Sequence, residues 1–242
     1  MSLPGVARRP RLDTSFVGVG ELASGQKKRL FSLYCGVFQG CQEDHFFTDL
    51  DNKDMVLLIT HKDTIVGFST QALKTFDYNG EKTRIIFPGD TIVEQKYWGS
   101  ALLPKTWLSF ALSIADQEPR APLYLLLLAG SFRTYAFLTH FLKDFFPRHG
   151  KETPQCIMEL MDMVASEMFG GAFIRESGII RFPHAPHLLG GIADILPRHK
   201  SNPDIAFYLE KNPGFTSGDE LPCLAEISRG NLSKAGRRLI RR

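Results

Sequence analysis

No C-x-x-C pair occurs anywhere in the 242 residues. The four cysteines, Cys35, Cys41, Cys156 and Cys223, lie far apart, so their spacing supports neither a zinc site nor a disulfide framework and suits a reducing compartment. No window reaches the roughly 18 apolar residues that a membrane span needs, and the Pro- and Arg-bearing start lacks the apolar stretch of a secretion signal. A cytoplasmic protein is therefore expected. The excess of one sign of charge is small too. The net +3 is concentrated in Arg8, Arg9 and Arg11 and in Arg237, Arg238, Arg241 and Arg242, which read as solvated tails. A nucleic-acid partner, which calls for a basic stripe along a folded element, is not expected. Repeats and low-complexity tracts are missing, and with 43% apolar and 23% charged residues nothing points to disorder. No metal is expected either: His184, His187 and His199 sit in a proline-bearing stretch with no nearby cysteine and only Asp194 at a ligand-like offset. Ser131 follows Gly130, but Ala-Gly-Ser-Phe-Arg lacks the G-x-S-x-G elbow of serine hydrolases.

What is present alternates between strand and helix patterns. Residues 1–20 lack sustained periodicity and predict an irregular arm. Ser24 caps a predicted helix running through Leu30, Leu33, Tyr34 and Phe38. Met55–Thr60 and Ile65–Leu73 form a predicted hairpin about His61–Thr64, and Asn79-Gly80 marks a second tight turn. Arg84–Glu94 is the next strand, with a bulge or splay expected at Pro88-Gly89. Ala101–Ala115 is helical, Leu123–Leu128 reads as a strand covered on both faces, and Phe132–Phe145 is a second amphipathic helix. Beyond Gly150, helices are expected at 153–169 and 203–210, with short strands near 173–174, 178–182 and 221–227. The turn residues Gly218-Asp-Glu220 carry no assigned role.

The stretch from Asp90 to Leu103 carries the most information. An apolar strand breaks into a turn of small residues that opens a helix, and free N–H groups at a helix start point at an anion that comes close to the backbone. Lys96, Gly99 and Ala101 stand at offsets 1, 4 and 6, which resembles the Q/R-x-x-G-x-G/A turn by which the GNAT N-acetyltransferase superfamily grips the pyrophosphate of coenzyme A. Lysine stands here where that family has Gln or Arg. The order of elements is the family's order. Arg133, Ala136, His140, Asp144 and Phe145 also fall on its N-x-x-A-x-x-x-Y-x-x-x-G-F spacing, with the small residue and the final aromatic kept and the others changed.

The resemblance implies an α/β (α+β) fold: a mixed, mostly antiparallel central sheet flanked by helices, with extra C-terminal helices and short strands. Residues 21–150 would be the acyl-CoA-binding core, and 151–242 an extension completing the sheet and the acceptor side. It implies acetyl-CoA or another acyl-CoA as co-substrate. The donor would be held by backbone N–H groups at Ile92 and Val93, by the turn residues Lys96, Tyr97, Trp98, Gly99, Ser100 and Ala101, and by Arg133. The acceptor would be a small-molecule amine. Asp90 and Glu94, four apart on one strand, are the candidates for general base. His140, in the place of the family's acid tyrosine, and Tyr135 are the candidates for general acid. Two alternatives stand beside this acyltransferase: a non-catalytic acyl-CoA or small-molecule binding module, and an N-acyltransferase fed by an acyl carrier protein, for which a basic patch from Lys96, Lys105 or Arg133 would be the mark.

Overall fold

Alternating apolar side chains from Asp13 to Val93 build a four-stranded antiparallel meander. The computed structural model describes residues 10–183, 186–192, 194–196, 199 and 201–241. Its main sheet contains, side by side, β1 (Asp13–Gly18), β3 (Met55–His61), β4 (Thr64–Tyr78), β5 (Glu81–Val93), β6 (Leu123–Ala129) and β10 (Leu221–Glu226). All neighbours are antiparallel except β5 and β6, which run parallel. Two short ladders lie outside it: β2 (Phe38–Gln39) with β9 (His187–Leu188), and β7 (Phe173–Ile174) with β8 (Ile179–Ile180). The mixed, mostly antiparallel central sheet flanked by helices is the architecture expected from the sequence. At the β4–β5 turn both Asn79 and Gly80 have positive φ, 58° and 80°, the twist a tight hairpin demands.

One face of the sheet carries α3 (Leu102–Gln117), α4 (Phe132–Phe141) and the later α6 (Pro203–Lys211) and α7 (Lys234–Arg241). Their core includes Leu57, Ile86, Leu108, Leu125 and Leu138, all fully buried. Burying each such side chain contributes roughly 1.5–3 kcal/mol. The other face is covered in two parts. Helices α1 (Ser24–Cys35) and α2 (Glu43–Asp51) pack Leu30, Phe46 and Leu50 on Val56, Leu58, Phe68 and Ile92, whereas α5 (Gln155–Phe169) packs Leu160 and Val164 on Ile85, Leu126 and Leu224.

Arg84 anchors the parallel pair. It is 8% exposed, and its guanidinium donates to the carbonyls of Ile114, Glu118 and Ala121 while its own N–H donates to Pro122. Carbonyls at a helix end have no partner within the helix, so a cation there satisfies them and meets the negative end of α3. Pro222 in β10 costs the ladder nothing. Leu224 N–H points away from β6 to Phe146, and two residues earlier in an edge strand Pro222 faces the same way.

Four expectations change. Residues 13–18, taken as part of an irregular arm, form edge strand β1; residues 1–9 lie outside the described residues. Helix α2 was not anticipated. Helix α4 stops at Phe141 rather than Phe145, because Leu142 leaves the helix to bridge Leu232. Arg237, Arg238 and Arg241 belong to α7 rather than to a free tail, and Gly236 lets that helix press on the Phe141 carbonyl, 2.5 Å from where a Cβ would sit.

Candidate active site

Strands β5 and β6 stay paired only from Arg84–Ile86 against Leu123–Leu125. Beyond Ile86 they part, and the cause is local. Pro88 has no N–H to offer β6, and the β4–β5 register slips between Ser69↔Thr91 and Gln71↔Pro88, so β5 carries one extra residue at Gly89-Asp90. Gly89 is required there, since a Cβ would lie 2.6 Å from Thr70 Oγ1 and 2.7 Å from Lys53 Cε. The opened strands bound a cavity of about 800 Å³ that runs through the sheet, with Leu103, Leu127 and Thr134 on the α3–α4 side and Tyr34, Phe46 and Phe87 on the α1–α2 side.

Backbone groups face the gap selectively. Glu94 N–H donates to the Val66 carbonyl of β4. Alternation along the strand then turns Ile92 N–H toward β4 and Val93 N–H the other way, toward the gap. The Val93 carbonyl, on that same side, accepts the Trp98 indole N–H at 2.7 Å. The turn follows. Gly99 has φ +77°, a conformation that a side chain strains, and the Ser100 hydroxyl accepts the Leu102 N–H at 3.2 Å where α3 begins. Arg133, exposed on α4, packs over the Trp98 ring at 5.3 Å and donates to the Ile192 carbonyl, which sets a fixed cation at the cavity mouth.

The α1–α2 side is acidic. Asp90 from β5, Asp49 from α2 and Glu220 just before β10 all line it, with Lys53 paired to Asp49. Lys53, 8% exposed, bonds Asp49 Oδ1 at 2.5 Å and lies 5.5 Å above the Phe87 ring. Among the described residues neither Asp90 nor Glu220 has a hydrogen bond or ion pair to its carboxylate. Removal from bulk water, and then the nearby Asp49 charge, push Asp90 up to about 7, against a smaller lowering by Lys53. Glu220 is pushed up to about 8, by burial first and then by Asp90 and Asp49. Glu220 is clamped: its N–H and C=O both pair with Ile180 at 2.9 Å, and its carboxylate rests against Gly130, 3.0 Å from an ideal Cβ. Asn212 Nδ2 ties the Asp219 carbonyl to that of Ala129, and Arg181 grips the Asp219 carboxylate through two bonds at 2.7 and 2.6 Å.

Of the residues expected from sequence, Asp90, Ile92, Val93, Tyr97, Trp98, Gly99, Ser100 and Arg133 line this cavity. Lys96, Ala101 and Glu94 do not. Glu94 is bound by Arg29 at 2.5 Å and Lys96 at 2.8 Å, and the Lys96 bond first of all holds its carboxyl below the usual range. Both proposed acids stand elsewhere. His140 is exposed near the end of α4, and Tyr135 is 1% exposed in the core, its hydroxyl bonded to the Pro147 carbonyl and its ionisation pushed up by burial. Lys105 also lies outside the lining, so the three basic residues weighed as a carrier-protein patch do not gather at the cavity. Among the described residues no group of three His, Cys, Asp or Glu is arranged to hold a metal; His184 lies outside them.

No protein-family model matches the chain, and no curated protein is significantly similar to it. Among solved structures it is similar to an Enterococcus faecalis protein of unknown function described as a probable N-acyltransferase, with 14% identity over 56% of this chain and 33% of that one and a TM-score of 0.42. It is similar also to Escherichia coli ElaA (20% identity, 58% and 95% of the two chains, TM-score 0.39) and to Arabidopsis thaliana NAA60 in complex with acetyl-CoA (14%, 59% and 94%, TM-score 0.41). The likeness is loose. The chain spans a third of the length of the first of these.

Three residues of the acidic side were not singled out from the sequence. Asp49 and Lys53, four apart as an ion pair along and just beyond α2, left a readable signal once Phe46 and Leu50 are seen as one helical face. Glu220 stands in the sequence only as part of the Gly218-Asp-Glu220 turn, because it reaches the cavity only through the pairing of β10 with β6.

Proposed function

We propose that the protein is a divergent GNAT acyltransferase that moves an acyl group from an acyl-CoA to an amine. One observation carries the reading: parallel strands part beside a small-residue turn and open onto a cavity that crosses the sheet, with a fixed cation at one mouth and an unpaired carboxylate on the opposite side. The turn at Trp98–Ser100 and the start of α3 suit the diphosphate of the donor, with Arg133 beside it. The pantetheine arm enters the gap, where Val93 N–H meets its amides or the thioester oxygen; a fixed donor at a developing oxyanion contributes about 3 kcal/mol to the transition state.

The amine approaches from the α1–α2 side. Its nitrogen attacks the thioester carbon, the C–N bond forms, and the C–S bond breaks. Asp90 takes the amine proton directly or through one water, and a carboxylate near 7 is matched to work at neutral pH. CoA leaves as thiolate and takes its proton from water. A thiol pKa of roughly 8.5 makes that departure easy without an acid, which accords with the position of His140 and Tyr135 outside the cavity.

The test is release of free thiol from acetyl-CoA across a panel of amines. Wild type is expected to turn over at least one amine, with a rate that rises as pH passes through about 7. Asp90→Asn is expected to lose about 100-fold or more. Equal rates for the two proteins would remove Asp90 from the reaction.

A further inference from the structure

The acceptor side contains more charge than proton abstraction from one amine requires. Asp90 and Glu220 reach it from opposite sides of the β6 end, each fixed by a separate backbone device: the β5 bulge for one, the Ile180 clamp and the Asn212 tie for the other. The third carboxylate is already used, since Lys53 neutralises Asp49. That ion pair is informative in itself. The protein's own ammonium sits between a carboxylate and the Phe87 ring on this wall, and Tyr34 and Phe46 continue the same aromatic lining. Rings and carboxylates together form a surface suited to ammonium groups. Two separated carboxylates left without a cation on an aromatic wall ask for a ligand with positive charge at two points.

We propose that the acceptor is a diamine or polyamine and that Glu220 is the specificity-determining residue, holding the second ammonium while the reacting amine lies at Asp90. This deepens the transferase reading and rests on it for the word acceptor, but the binding it predicts needs no donor. A neutral or anionic acceptor would leave both carboxylates uncompensated once they ionise.

The experiment is calorimetric titration of the full chain with putrescine and with n-butylamine, without donor, and separately with CoA. Putrescine is expected to bind at least tenfold more tightly than butylamine, and Glu220→Gln to erase that ratio while leaving the CoA titration unchanged. Should Glu220→Gln fail to fold, Glu220→Asp is read instead against cadaverine and hexamethylenediamine. Its shortened carboxylate is expected to move the preference toward the longer spacer. Equal binding of monoamine and diamine, no binding of either, or a diamine preference that survives the loss of Glu220 would overturn the proposal. Diamine preference without CoA binding would sustain it and sink the transferase reading, whereas CoA binding without the preference would do the reverse.

Discussion

Replacing Asp90 by asparagine keeps the shape of the side chain and removes its charge. The folded protein holds a proton on Asp90 up to about pH 7, whereas an unfolded chain releases it near 3.8. The native state therefore binds more protons than the unfolded state across that interval, and stability falls as pH rises through it. Three pKa units correspond to a ceiling of about 4 kcal/mol, fully expressed above pH 7 and absent below pH 4. Asp90→Asn escapes the penalty. Urea unfolding of both proteins at pH 4 and pH 8.5 is expected to show equal midpoints at the lower pH and a more stable variant at the higher. The gain should be a kcal/mol or more, alongside the loss of turnover predicted above. A variant that is less stable than wild type at pH 8.5, or a difference independent of pH, would refute the reasoning that Asp90 is an uncompensated charge.

Gly89→Ala forces a methyl against Thr70 and the Lys53 stem, and overpacking of this kind costs roughly 1–3 kcal/mol; the expected lower melting temperature is checked by calorimetry, and an unchanged value would show that the bulge can yield. His140→Ala is expected to leave turnover and its pH profile unaltered, because the imidazole lies outside the cavity. Arg84→Met strips the end of α3 of its donors, and the loss is expected to be on the order of 3 kcal/mol in urea unfolding.

The fold was more legible than the site, for a physical reason. Core faces repeat with the period of their own element, so Leu102–Gln117 and Leu123–Ala129 could be read from neighbours a few residues apart. Helix α2 escaped because nine residues with only Phe46, Phe47 and Leu50 apolar show barely two turns of pattern. The bulge at Pro88-Gly89 was readable, since both residues declare their backbone needs locally, and with it the place of Asp90. His140 shows the limit of spacing. It fits the family's pattern along the chain, but it lies five residues from Tyr135, about 140° round the helix from a side chain in the core, and the pattern does not say which sector of α4 the cavity meets. Glu220 stands some 130 residues beyond Asp90, and only the β6–β10 pairing brings the two carboxylates to one cavity.

The measurement closest to the central claim is titration of the protein with CoA, repeated on Gly99→Glu. A glutamate there puts negative charge and a side chain into a turn whose φ of +77° favours glycine and which lines the cavity. Saturable binding by wild type, lost in a Gly99→Glu protein that keeps its fold by circular dichroism, is the predicted result. Binding of equal strength to both proteins would place the diphosphate elsewhere, and no binding by wild type would contradict the account of the parted strands as a CoA site.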